Sequence, residues 1–126
     1  MRNSFISISL FIILLVGIIY LNIEFVNICS HAKASSDEIE ELILNKEYDL
    51  AYEKSEMLLS YIDGNDGIPT IYLNHTDYDL IINECLKLCI YIDERDISEA
   101  LASLHIIKYS VTDLKELQKV NIKNIF

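Results

Sequence analysis

The strongest constraint on this chain is a run without charge over residues 3–23, preceded by a single cation at Arg2. At ~1.5 Å of rise per residue, a helix of that length covers roughly 31 Å, the thickness of a bilayer's hydrocarbon core. Between residues 5 and 21, Ser7, Ser9 and Gly17 are the only small or polar interruptions, and thirteen Leu, Ile, Val and Phe surround them. Each such apolar residue favours insertion by about 0.3–0.6 kcal/mol at the centre of a spanning helix, so the balance lies well on the side of the membrane. Tyr20 falls where an aromatic ring with a polar tip suits the headgroup layer.

An uncleaved anchor fits this run better than a removable signal. A secretory signal has an apolar core of only ~7–15 residues with a small-x-small site close behind it. The nearest such site, Ala32-Lys33-Ala34, ends eleven residues beyond Ile23. A lipoprotein signal would need small residues before its cysteine, and Asn27 and Ile28 stand before Cys29. Arg2 precedes the run, while Glu24 and an acidic region follow it. The positive-inside rule therefore places the N-terminus in the cytoplasm and the remainder outside the cell membrane. Ser7, Ser9 and Gly17 have no small-xxx-small spacing that would pair two spans. The resulting organisation is an anchor over 1–23, a juxtamembrane segment over 24–35 through which the helix can continue, and an acidic helical domain over 36–126.

All 20 acidic residues lie after the run, against nine of the ten Lys and Arg. That excess disfavours nucleic acid, whose phosphates require clustered cations, and it disfavours adsorption to anionic lipid headgroups. Solubility of the exposed part is its plainest consequence.

The exposed part reads as all-α. No Gly or Pro occurs between residues 18 and 63, and apolar residues recur at helical spacing. Ile39, Leu42 and Ile43 share one face; Ala51, Ser55, Leu58, Leu59 and Ile62 share a second. Tyr78, Ile81, Ile82, Cys85, Leu88, Cys89 and Ile92 form a third stripe. Ile97, Ala100, Leu101, Leu104, Ile107 and Val111 form a fourth. Four such stripes must cover one another, which predicts a small bundle or stack of antiparallel helix hairpins behind the N-terminal transmembrane helix. Ser35 with Glu38, and Thr76 with Asp79, have the spacing of capping boxes and predict helix starts. The turn formers at 63–69 predict a loop, and Leu114 with Leu117 predicts one face of a short last helix over 113–126. Residues 45–51 (NKEYDLA) and 94–100 (ERDISEA) echo each other. Both have a polar break, then a bulky residue and, three residues later, an alanine suited to close helix approach.

Candidate sites are few. Cys85 and Cys89 share a helical face, but no second ligand pair exists for zinc, and they read as core residues. Cys29, beside the membrane, is a candidate for joining two copies. His75, Asp77 and Asp79 could gather a cation, although the same residues also suit a helix start. His105 reads as a flank residue, and His31 has no evident partner. A calcium loop starting at Asp63 fails, because Ile68 and Asn74 occupy the positions that need glycine and glutamate. No phosphate loop or nucleophile motif is present, so no catalytic, cofactor or metal residue is assigned and an enzyme is not expected.

The anchor, Tyr48-Asp49-Leu50-Ala51, the segment LNHTDYD at 73–79, YIDERDISEAL at 91–101 and the final Asn124-Ile125-Phe126 carry a resemblance over nearly the whole chain. On these residues the chain resembles an uncharacterised family of small single-pass membrane-anchored helical proteins of spore-forming Firmicutes, a domain-of-unknown-function family. The resemblance implies location and fold and supplies no mechanism. The expected function is a membrane-anchored, non-enzymatic interaction module, an adaptor or accessory subunit that meets a protein partner or a second copy. Its contact surfaces would be the tail at 122–126, the loop at 61–72 and exposed tyrosines. The alternative is an extracytoplasmic sensor of a cation or small ligand, built on His75, Asp77 and Asp79.

Overall fold

A computed structural model describes residues 1–64 and 75–125; for His75, Thr76 and residues 119–125 it describes the backbone alone. Four helices account for nearly all of these residues: α1 (Arg2–Leu44), α2 (Tyr48–Gly64), α3 (His75–Asp93) and α4 (Ile97–Ile125). The fold is all-α, as the four stripes require, and no strand occurs among the described residues. Helix α1 packs on α2 and α4, and α3 packs on α2 and α4, with only slight contact across the diagonals. Pairs such as His31 with Tyr61 and Glu38 with Lys54 run in opposite chain directions, so neighbours are antiparallel. The bundle is up-down-up-down, and α4 closes the square against α1.

The first helix has two halves with different surroundings. Residues up to 20 are exposed apart from half-buried Leu15 and Gly17, whereas Asn22, Phe25, Cys29, Ala32, Ser36, Ile39 and Ile43 are buried. Those seven positions alternate by three and four, a 3.5-residue repeat. Ala51, Ser55, Leu58 and Ile62 in α2 follow it, as do Tyr78, Ile81, Cys85, Leu88 and Ile92 in α3. In α4 the same repeat runs through Ala100, Leu104, Ile107, Val111, Leu114 and Gln118. A repeat of 3.5 keeps each seam facing its neighbours only if the helices wind around one another in a left-handed sense.

Three local expectations are corrected by this architecture. The Ser35 and Glu38 pair is not a helix start, because α1 runs through both without a break. Its acids serve neighbouring helices instead: Glu38 lies 3.6 Å from Lys54, and Asp37 lies 2.8 Å from Lys108. Ser36 stays helical by donating its hydroxyl back to the Ala32 carbonyl at 2.8 Å. The juxtamembrane stretch is thus helix, and it contributes Phe25, Ile28, Cys29 and Ala32 to the core. Residues 113–125 form no separate helix but continue α4; Leu114 is buried there while Leu117 is exposed. Cys29, expected to be accessible beside the membrane, faces the core rather than solvent.

The echo at 45–51 and 94–100 is the same turn built twice. Lys46 and Arg95 occupy left-handed backbone with φ of 63° and 60°. In the first turn the Lys46 amide donates to the Ile43 carbonyl and the Glu47 amide to Leu42. In the second, Arg95 donates to Ile92 and Asp96 to Tyr91. This is the Schellman closure of a helix C-terminus, made here without glycine. The next helix starts at once, with Ala51 donating to Glu47 and Ala100 to Asp96, and both alanines are fully buried. Both turns lie at the far end of the bundle, away from the apolar half of α1. The loop at 65–74 lies outside the described residues.

Candidate functional surfaces

The interior offers packing and little chemistry. The gap between the helices near Phe25, Cys29, Ile62, Tyr78 and Val111 amounts to about 10 Å³ and is apolar, at the lower limit for a single water. All three thiols are buried and free. Burial pushes Cys29 up to about 11, Cys85 to about 12 and Cys89 to about 11, so the nucleophilic thiolate is scarce at neutral pH. Cys85 and Cys89 are therefore core residues, as their place in the stripe suggests.

Among the described residues no buried side-chain nitrogen or oxygen lacks a hydrogen-bond partner. Tyr78 donates its hydroxyl to the Ile62 carbonyl, satisfying an orphan group in the last turn of α2. Glu84, nearly fully buried, accepts from Lys87 at 3.3 Å. Asn22 donates from Nδ2 to Oε1 of Gln118 at 3.1 Å, and the two residues are 6 % and 5 % exposed. This bond joins the helices that open and close the square, at the level where α1 leaves the bundle. A buried amide pair is satisfied only in one register, so it fixes how far α4 runs along α1. Nothing in the spacing of two residues so far apart in the chain could have announced it.

Charge is organised across helix pairs. Lys108 of α4 binds Asp37 and Glu40 of α1. Burial alone would lower its pKa, but the hydrogen bonds to the two carboxylates prevail and hold it above the ordinary lysine value. At the far end, Arg95 Nη2 donates to Asp49 at 2.7 Å and Nη1 to the Ile92 carbonyl at 2.9 Å, while its guanidinium lies 5.2 Å from the centre of the Tyr48 ring. The second turn is thereby tied to the first. Acids crowd this end, with Glu41, Glu47, Asp49, Asp93, Glu94, Asp96 and Glu99 around Lys46 and Arg95.

Asp77 and Asp79 are both exposed on α3; the His75 side chain lies outside the described residues, as do the side chains of the tail at 122–126 and most of the loop at 61–72. Among the described residues no cluster of three His, Cys, Asp or Glu is arranged to hold a metal. Asp77 borders a groove between α3 and α4, formed with Leu80, Tyr109, Ser110, Asp113 and Leu117. His105 is exposed, and the His31 ring packs at a tilt of 44° against Tyr61 with ring centres 4.1 Å apart, a partner not visible in the sequence. Apolar side chains stay uncovered on the outer faces of α3 and α4, notably Leu80, Leu86, Ile90, Ile106 and Tyr109, the last 75 % exposed.

Residues 19–125 match the family model described as DUF4363, a domain of unknown function. The matched span begins within the last residues of the charge-free run and takes in the whole bundle. No curated protein and no solved structure matches the chain.

Proposed function

Since the chain belongs to the DUF4363 family, whose function is unknown, its role has to come from its own residues, and we propose that it is a membrane-anchored, non-enzymatic interaction module. The observation that carries this reading is α1 itself. One unbroken helix is long and apolar enough to span a membrane in its first half, with none of that window buried, and supplies a wall of the bundle in its second. A signal sequence would share the apolar half, but cleavage within α1 would remove part of the core seam. Retention of the anchor is what the packing favours.

In this reading the N-terminus is cytoplasmic and the acidic bundle stands on the outer side of the cell membrane, held upright because its stalk is continuous with its core. The uncovered residues on α3 and α4 are where a protein partner or a second copy would dock. Aromatic and apolar side chains on an otherwise charged surface suit that role. No catalytic step is assigned: the buried polar groups described above are committed to structural bonds, and the thiols are held protonated.

Photo-crosslinking in the native membrane tests the reading. A photoreactive residue replacing Leu86, Ile90 or Tyr109 is expected to give one discrete protein adduct, and the same residue replacing Glu53 on α2 none. Equal adduct patterns at all positions, or release of the chain from membranes by alkaline extraction, would overturn it. Topology follows from Glu53→Cys in intact cells. Its exposed thiol is expected to react with an impermeant reagent while the three native cysteines stay silent.

The groove with Asp77 and Asp113 supports the second reading, a cation or small-ligand sensor that also draws on His75 and Asp79. A stoichiometric divalent ion that raises the melting temperature of the chain, and fails to do so after His75→Ala, would favour it over the adaptor.

A further inference from the structure

We infer that the last two turns of α4 are a second membrane contact, entering the outer leaflet of the bilayer alongside α1. This rests on the anchor reading given above. The Asn22–Gln118 hydrogen bond sets the level of α4 against α1, and α4 then continues helically to Ile125. Seven further residues advance the helix by ~10 Å. Because the two helices are antiparallel, this brings the end of α4 level with residues 15–21 of α1, inside the charge-free run. Leu15 and Leu21 are half-buried, whereas Leu14, Val16, Ile18, Ile19 and Tyr20 are exposed. Leu15 also extends the seam Asn22, Cys29, Ser36, Ile43 back by one seven-residue step. The bundle's α1 seam therefore reaches into the span itself.

Composition changes at the same point. After Glu116 the chain has no acid, and it carries Lys119 and Lys123 among Val120, Ile122, Ile125 and Phe126. The acidity that keeps the body of the module away from anionic headgroups thus ends where α4 reaches the depth of the headgroups. Lysines at a helix C-terminus complement its dipole, and lysine stems can carry their charge back to a phosphate layer from an apolar level. A lipid surface fits such an end better than a protein groove, because continuity with the spanning half of α1 places it there. Two parallel contacts, rather than one, would fix the tilt and rotation of the bundle relative to the bilayer.

The absence of tryptophan makes the test direct. The full chain is reconstituted in phosphatidylcholine bilayers containing lipids with quenchers at defined depths, with one tryptophan introduced at a time. Ile122→Trp is expected to be quenched from the same depth as Ile19→Trp, and Ile125→Trp from the same depth as Leu14→Trp, each within one residue of its counterpart on α1. Leu44→Trp at the far end is expected to be unquenched, and Leu14→Trp to be quenched from deeper positions. If Leu14→Trp is quenched while both α4 variants behave like Leu44→Trp, the second contact is refuted and the anchor stands. If Leu14→Trp is also unquenched, the anchor reading fails and takes the second contact with it.

Discussion

Replacing Lys46 and Arg95 by glycine, one at a time, should move stability in opposite directions although the two residues share one backbone conformation. Both stand in left-handed turns, with φ of 63° and 60°. Left-handed backbone costs a side-chain-bearing residue about 1–2 kcal/mol, which glycine removes. Glycine also gains freedom in the unfolded chain, which takes back about 0.4–1 kcal/mol. At exposed Lys46 the net is a stabilisation of about 0.5–1 kcal/mol. At Arg95 the same relief is set against three contacts: the exposed ion pair with Asp49 at 2.7 Å, the hydrogen bond to Ile92 and the Tyr48 ring at 5.2 Å. Exposed pairs contribute about 0.2–1 kcal/mol, an exposed cation over a ring about 0.5–1, and a net hydrogen bond about 0.5–1.5. Together they outweigh the relief, so Arg95→Gly should destabilise by about 1 kcal/mol. For a bundle of this size 1 kcal/mol moves the melting temperature by about 4–8 °C. Thermal unfolding of the full chain in detergent micelles, followed by circular dichroism, should therefore separate the variants by a clear margin on either side of the parent. Asp49→Ala combined with Arg95→Gly should cost less than the two single changes added. Equal shifts of the same sign at Lys46 and Arg95 would refute the reasoning, since Arg95 would then do no more than close its own turn.

Three further outcomes follow from the packing. Asn22→Leu or Gln118→Leu alone leaves a buried amide without its partner and should cost about 1–3 kcal/mol, while the double substitution should recover most of it; thermal melts of the three variants check this. At pH 8 a small thiol reagent should modify none of Cys29, Cys85 and Cys89 while the bundle is folded, and all three in denaturant, as mass spectrometry would read. Lys108→Met should lower the melting temperature by leaving Asp37 and Glu40 unpaired on α1. Because the folded-state pKa of Lys108 is raised, its contribution is complete below the ordinary value of 10.5 and is lost as pH rises through the folded value. The difference between parent and variant should therefore hold constant from neutral to mildly alkaline pH and shrink only above that point.

Much of the bundle was legible because burial writes itself as period. The stripes through Tyr78 to Ile92 and Ile97 to Val111 are buried or half-buried throughout, and the repeated break before Ala51 and Ala100 marks two matching turns. The misreadings share a cause: a residue type that serves a local purpose in one setting serves a tertiary one in another. Ser35, Asp37 and Glu38 have the composition of a helix start, but Asp37 and Glu38 are spent on Lys108 and Lys54. Lys46 and Arg95 stand where glycine is the usual signal, so the type of turn was hidden although its position was not. Cys29 reads as accessible unless the seam of α1 is traced back beyond Ile39. Long-range polar pairing leaves no trace in a single sequence, and Asn22 with Gln118 is the clearest instance. Surface function is less legible still, since exposed apolar residues such as Tyr109 and Ile90 follow no spacing rule.

The central claim is that a single rigid helix is both membrane span and bundle wall, and backbone hydrogen exchange of the full chain in lipid nanodiscs tests it most directly. Slow exchange should run without interruption from within the span through Asn22 and Ser36 to Ile43. A rapidly exchanging break anywhere between residues 20 and 36 would show anchor and bundle to be separate bodies joined by a hinge, and would contradict the account.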